Sequence, residues 1–190
     1  VIVVKVDNSQ QPNSRWYTGS GIYRNVRLLV SDIRAFIQDR ETVISASYNP
    51  SGNNAKVTIH TPVIVVTTEP VHVKTSIYDA NGKLLSTVTT TKQRTSKNEL
   101  HEVQSTHKIM AHPWSVDRPY LYKAVIHLSE GRRSIGEYTW YFGIRNFTFD
   151  ARKGFFLNGK SLKIKGVCLH HDLGALGAAF NTRAAERQLE

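Results

Sequence analysis

Apolar and polar residues alternate along most of this chain, and that two-residue rhythm is its strongest constraint. A strand points successive side chains to opposite faces, so alternation gives each segment one apolar face and one wetted face. The runs TVISASY (42–48), AKVTIHTPV (55–63), VHVKTSIYDA (71–80) and LLSTVTTTK (84–92) carry it. So do LHEVQSTHKI (100–109), YLYKAVIHL (120–128) and IGEYTWYFGI (135–144). All are rich in Val, Ile, Thr and Tyr, which suit a pleated, half-buried surface. The turn signals NPSGNN, DANGK and SEGRR fall between them. Asn81-Gly82 suits a type I′ hairpin, whose two central residues need positive φ.

The rhythm predicts a seven-stranded β-sandwich of immunoglobulin-like size over 31–143. A Cys-Trp-Cys framework is missing, which excludes an antibody-type domain. Trp114 and Trp140 are expected in the core or between sheets, the alternative being an exposed platform on which a sugar stacks. Alternation places Thr139 and Tyr141 on the face opposite Trp140. The 190 residues are 40% hydrophobic and 21% charged, an ordinary globular balance. No apolar run approaches the ~20 residues of a membrane helix, so no membrane partner is expected. The opening VIVVKVDNSQ lacks a basic leader and reads as the middle of a strand. The expectation is a piece of a longer protein, with self-association of exposed strand edges, a homo-oligomer, as one way to cover the apolar segment 1–6.

A net charge of +10 raises the question of nucleic acid. Yet Lys and Arg are scattered singly along strand-like segments, and the densest cluster, EGRRS, is a turn. Solvated faces of a basic protein explain this pattern, and no nucleic-acid partner is expected. The single cysteine, Cys168, excludes an internal disulfide and a multi-cysteine zinc site. It is expected to be a buried strand residue.

After Gly143 the pattern changes. FFLNGKSLKIKGV (155–167) predicts a hairpin around Asn158-Gly159. A Gly/Ala-rich segment follows, then NTRAAERQLE (181–190), the first helix-like stretch, capped by Asn181 or Thr182. A strand, a long loop and a short helix make the opening of a β/α unit.

Three stretches carry a resemblance: RWYTGSGIYRNVRLL (15–29), PWSVDRPYLYKAVIHL (113–128) and GFFLNGKSLKIKGVCLHHD (154–172). In this order and spacing the chain resembles glycoside hydrolase family 2, the β-galactosidase/β-glucuronidase family, and bacterial β-galactosidase-like members most. The resemblance implies a mainly β chain: an immunoglobulin-like β-sandwich flanked by the last strands of a jelly roll and the first β/α unit of a truncated (β/α)8 barrel. Residues 1–30 would belong to the jelly roll, 31–143 to the sandwich and 144–190 to the barrel.

The resemblance also implies a retaining β-glycosidase as parent, acting on a β-galactoside or related carbohydrate. On it SLKIKGVCL is the first barrel strand, and barrel active sites lie at strand C-termini. His170 would contact sugar hydroxyls, the alternative being a loop or core histidine. His171 reads as structural. Asp172 would pair with a histidine or line the pocket rim. Adjacent residues on an extended chain diverge, so a zinc site from His170, His171 and Asp172 is disfavoured. A Cys168–His170 nucleophilic pair has no support. Arg15 is a substrate contact or a rim residue, and Arg145 is expected to hold the junction between sandwich and barrel. The resemblance suggests Mg2+ or Na+ for the parent and no cofactor in this fragment. Asn13-Ser14-Arg15 lacks the carboxylate that precedes the tryptophan in the β-galactosidase branch. The family's two catalytic glutamates have no counterpart here, since only Glu186 and Glu190 follow Gly143. No catalytic residue is named, and the chain alone is expected to be inactive. A non-catalytic carbohydrate-binding sandwich is the alternative. The compartment favoured is periplasmic or secreted.

Overall fold

Alternation in sequence becomes alternation in burial. The computed structural model describes residues 1–7, 9–10, 21–22, 26–38, 41–94, 99–168, 179 and 181–190. These fall into two compact units: Val30–Ile164, and a second made of Val1–Leu29 with Lys165–Glu190.

The larger unit is built from antiparallel strands. They are β1 (Ala35–Ile37), β2 (Val43–Asn49), β3 (Asn54–Val65), β4 (Val71–Tyr78), β5 (Leu84–Lys92), β6 (Glu99–Met110), β7 (Tyr122–Glu130) and β8 (Arg133–Phe142). Three short strands follow: β9 (Phe147–Asp150), β10 (Gly154–Leu157) and β11 (Lys160–Ser161). In the first sheet β3 pairs with β6 along its whole length, from Asn54↔Met110 to Val65↔Glu99. The opposite edge of β3 is shared: β2 takes Asn54–His60 and β1 takes Val63–Val65. The second sheet runs β5-β4-β7-β8.

All seven strands expected from the rhythm form. The eighth, β1, has only three residues, too few to show a period.

Pro62 sits inside a central strand, where a missing N–H would ordinarily cost a ladder bond. In an antiparallel strand a residue's N–H and C=O point the same way. The Pro62 carbonyl accepts the Gln38 N–H at 3.3 Å. The missing donor therefore faces the gap where the edge partner changes from β2 to β1, and no ladder bond is lost.

The buried faces of the two sheets meet in one cluster. Val57, Ile59, Val63 and Val103 come from the first sheet; Val73, Ile77, Ala124, Ile126 and Leu128 come from the second. Each large aliphatic side chain removed from water contributes roughly 1.5–3 kcal/mol. Trp140 packs half-buried against this cluster, while Tyr141, next in sequence, is 69% exposed. A polar group also sits between the sheets. His107 is fully buried, with Nε2 at 3.0 Å from Thr75 Oγ1 and 3.3 Å from Ser105 Oγ, and Nδ1 at 2.9 Å from Ser86 Oγ. Burial without a charge partner pushes the imidazole pKa down.

The β4–β5 turn differs from expectation. Only Gly82 of the Asn81-Gly82 pair has positive φ, 82°. The Asp79 carboxylate accepts the N–H groups of Asn81 (2.9 Å) and Lys83 (2.8 Å), and Asp79 C=O accepts Gly82 N–H at 3.1 Å. That side-chain cap favours a type I turn followed by a left-handed glycine over type I′. At Asn158-Gly159, by contrast, both residues have positive φ (51° and 79°), and the predicted two-residue hairpin joins β10 to β11.

The described residues of 1–30 form no strand, and Val1–Val6 and Val26–Val30 are exposed. Residues 162–168, expected as a strand, form none: beyond the Leu162 N–H to Phe155 O bond at 2.9 Å they pair with no segment among the described residues, and Cys168 is exposed rather than buried. An extended run without an adjacent strand has no ladder to complete. The helix α1 (Thr182–Leu189) forms as expected, and of the two candidate caps it is Asn181 whose side chain accepts the Ala184 N–H at 3.1 Å.

Candidate functional site

The resemblance-derived site residues Arg15, His170 and Asp172, with His171, lie outside the described residues. What is described is the scaffold that precedes His170–Asp172 in the chain: the place where the hairpin β10–β11 is fastened to one end of the sandwich.

The fastening is built from two asparagines. Asn146, just past β8, reads the backbone of β2 from both sides: its Oδ1 accepts Tyr48 N–H at 3.2 Å and its Nδ2 donates to Tyr48 O at 2.7 Å. Asn158, at the hairpin tip, does the same between two other segments. Its Oδ1 accepts Asn146 N–H at 3.0 Å, and its Nδ2 donates to Trp114 O at 2.9 Å. Asn158 N–H also donates to Asn146 O at 2.8 Å. Asparagine suits this position twice over. It tolerates the left-handed φ of 51° better than most residues, and its amide offers a donor and an acceptor together.

The Trp114 loop closes the arrangement. Trp114 N–H donates to Ile144 O at 2.7 Å, and the Arg145 guanidinium lies 5.5 Å from the Trp114 ring centroid. Gly143 permits this: a Cβ there would meet Trp114 Cβ, Cγ and Cδ1 at 3.0 Å. Trp114 is half-buried in a joint, and Arg145 stacks on it, which gives both residues their structural setting. Nearby, fully buried Tyr122 accepts the His112 N–H at 2.7 Å, and burial pushes its phenol pKa up.

Sequence reading recognised the Asn158-Gly159 turn and missed the reach of its side chain. The signal was weak: an asparagine where glycine alone would satisfy the backbone. On the sheet β9–β10–β11, Phe147, Phe149 and Phe155 form a contiguous aromatic face, with ring centroids 5.1–6.4 Å apart. Phe147 is 57% exposed and Phe149 72%.

Among the described residues no group of three or more His, Cys, Asp or Glu is placed to hold a metal ion. At Asn13-Ser14-Arg15 the donor set carries a guanidinium and no carboxylate, so these residues do not suit a sodium site of the β-galactosidase type. Among the described residues no helix is long and apolar enough to cross a membrane.

The family model for glycosyl hydrolases family 2 matches residues 35–145, more than half of the chain. The chain belongs to glycosyl hydrolases family 2. Among family 2 relatives, the β-galactosidase BoGH2A of Bacteroides ovatus is 40% identical over 192 residues, covering all of this chain and 22% of its own length. A β-glucuronidase of Bacteroides fragilis is 26% identical over 99% of this chain and 28% of itself. Among solved structures, a β-glycosidase from Bacteroides vulgatus superposes with a TM-score of 0.83 at 33% identity, over 97% of this chain and 23% of that one. This chain thus spans between 16% and 28% of the length of the curated relatives it matches.

Proposed function

We propose that this chain is the mid-section of a retaining β-glycosidase whose substrate is a β-galactoside. The observation that carries the reading is the 40% identity to the B. ovatus β-galactosidase along the whole chain, 159–172 included. In this reading the sandwich is an architectural block. The two-asparagine joint fixes the start of the segment that leads to His170, and His170 and Asp172 reach a sugar from the end of the first barrel strand. Arg15 would approach the same sugar from the jelly-roll side. The exposed Phe147–Phe149–Phe155 face gives the rest of the parent an apolar surface to cover.

The chemistry itself needs two carboxyls about 5–5.5 Å apart, one as nucleophile and one as acid/base. Glu186 and Glu190 do not supply them. Both are exposed at α1, and Arg183 holds them at 3.1 Å and 3.0 Å as surface ion pairs. The purified 190-residue chain should therefore turn over neither a chromogenic β-galactoside nor a β-glucuronide. Hydrolysis above the buffer rate would overturn that.

A second reading, a β-glucuronidase parent, is favoured by the names of several relatives, including two from Formosa agariphila at 30% identity. The deciding measurement is the kcat/KM ratio of the full-length gene product on the paired nitrophenyl glycosides. A preference for the β-galactoside is expected, and a preference for the glucuronide selects the second reading.

A further inference from the structure

At the corner where the β4–β5 turn, the β6–β7 loop and the ends of β7 and β8 meet, two adjoining clefts of ≈ 710 and ≈ 600 Å³ share Asp79, Arg118 and Tyr120. Both fall in the range of small-molecule sites. The larger is lined by Tyr141, 69% exposed on the outer face of β8, by Pro119 and by Leu121, 44% exposed. A flat aromatic ring with an aliphatic rim is the surface on which the apolar face of a pyranose packs. The charge is one-sided. Arg118 and Lys123 line the larger cleft and Arg118 and Lys160 the smaller; none has a carboxylate partner among the described residues. The one carboxylate, Asp79, spends an oxygen on the Asn81 and Lys83 N–H groups.

We infer that this corner of the sandwich is a binding site for an acidic oligosaccharide, with a pyranose ring on Tyr141 and sugar carboxylates toward Arg118, Lys123 and Lys160. The ligand class follows from complementarity: aromatic stacking selects a sugar, and three cations facing one engaged carboxylate select a uronate-bearing one. The site goes beyond the proposed glycosidase reading and does not depend on it, because every residue in it lies within Val30–Ile164.

The test is an NMR titration of the 190-residue chain with tetragalacturonate, and with neutral maltotetraose of the same length and linkage. Tetragalacturonate should shift the amides of Leu121, Lys123 and Tyr141 and bind more weakly as salt rises. Maltotetraose should bind about tenfold more weakly. Y141A should weaken the acidic ligand about tenfold, a loss of ~1.4 kcal/mol. R118Q/K123Q should remove the preference for it while leaving maltotetraose unchanged. Arg118 and Tyr141 are exposed, while Lys123 is half-buried with its ammonium 4.9 Å from the Tyr78 ring centroid, so an amide spectrum unchanged away from the cleft is the check that each variant folds. Equal affinity for both sugars, unchanged binding by Y141A, or shifts confined to other regions would overturn the inference.

Discussion

Replacing Asn158 tests whether the joint is held as described. Asn158→Ala removes two hydrogen bonds, at 3.0 Å to Asn146 N and 2.9 Å to Trp114 O, from a part-buried setting. Each is worth about 0.5–1.5 kcal/mol net. It also places alanine at a φ of 51°, where an L residue with a Cβ costs about 1 kcal/mol more than asparagine. The sum is a loss of roughly 2–4 kcal/mol, read as a lower denaturant midpoint. Asn158→Asp separates the contributions. It keeps the acceptor for Asn146 N–H and the backbone tolerance, but sets a carboxylate against the Trp114 carbonyl. Its cost should be smaller, about 1–2 kcal/mol. Native-state hydrogen exchange reports the same distinction, because the Asn146 amide should stay protected in the aspartate variant and open in the alanine variant. A loss under about 0.5 kcal/mol for Asn158→Ala, or equal exchange of Asn146 in both variants, would refute this account of the joint.

Three further outcomes follow from other parts of the fold. Gly143→Ala drives a Cβ to 3.0 Å from three Trp114 atoms and should cost about 1–3 kcal/mol, with a change in tryptophan fluorescence; a neutral result would mean the loop moves freely. Thr61 is fully buried and its Oγ1 has no hydrogen-bond partner among the described residues, so Thr61→Val should stabilise by about 1 kcal/mol in urea denaturation. Destabilisation there would reveal a partner for the hydroxyl. Because burial lowers the folded-state pKa of His107, the unfolded chain binds its proton first as pH falls below about 6.5. Stability should thus be full above that value and fall through the window between it and the lower folded pKa. Urea midpoints at pH 7.5 and 5.5 should diverge more in the wild type than in His107→Gln. Equal divergence would remove His107 as the cause.

The sandwich was legible because its strands advertise themselves locally. Each of β2–β8 shows its buried face as a period of two, and the Asn158-Gly159 turn announces its backbone by residue type alone. The β4–β5 turn was misread because Asp79, two residues upstream, redirects it with a side chain that dipeptide signals ignore. The joint was invisible for another reason. Asn158 meets Trp114 across 44 residues and Asn146 meets Tyr48 across 98, and no local pattern encodes such distances. The expected strand at 162–168 fails in the opposite way: its alternation is sound, but a strand is a relation between two segments, and no neighbouring segment pairs with it among the described residues. The sugar-contacting roles of Arg15, His170 and Asp172 rest on the resemblance, since their positions fall outside the described residues.

The two asparagines clamp the β10–β11 hairpin to the sandwich. Tyr48, Trp114 and Asn146 anchor the hairpin from three directions, and Leu162 N–H is still tied to Phe155 O at 2.9 Å as the chain departs. A mounting without play transmits error as well as position. Substitutions in the β6–β7 loop should therefore register at the hairpin as well as at Trp114, and a screen that reads the sandwich strands alone would miss half of their effect.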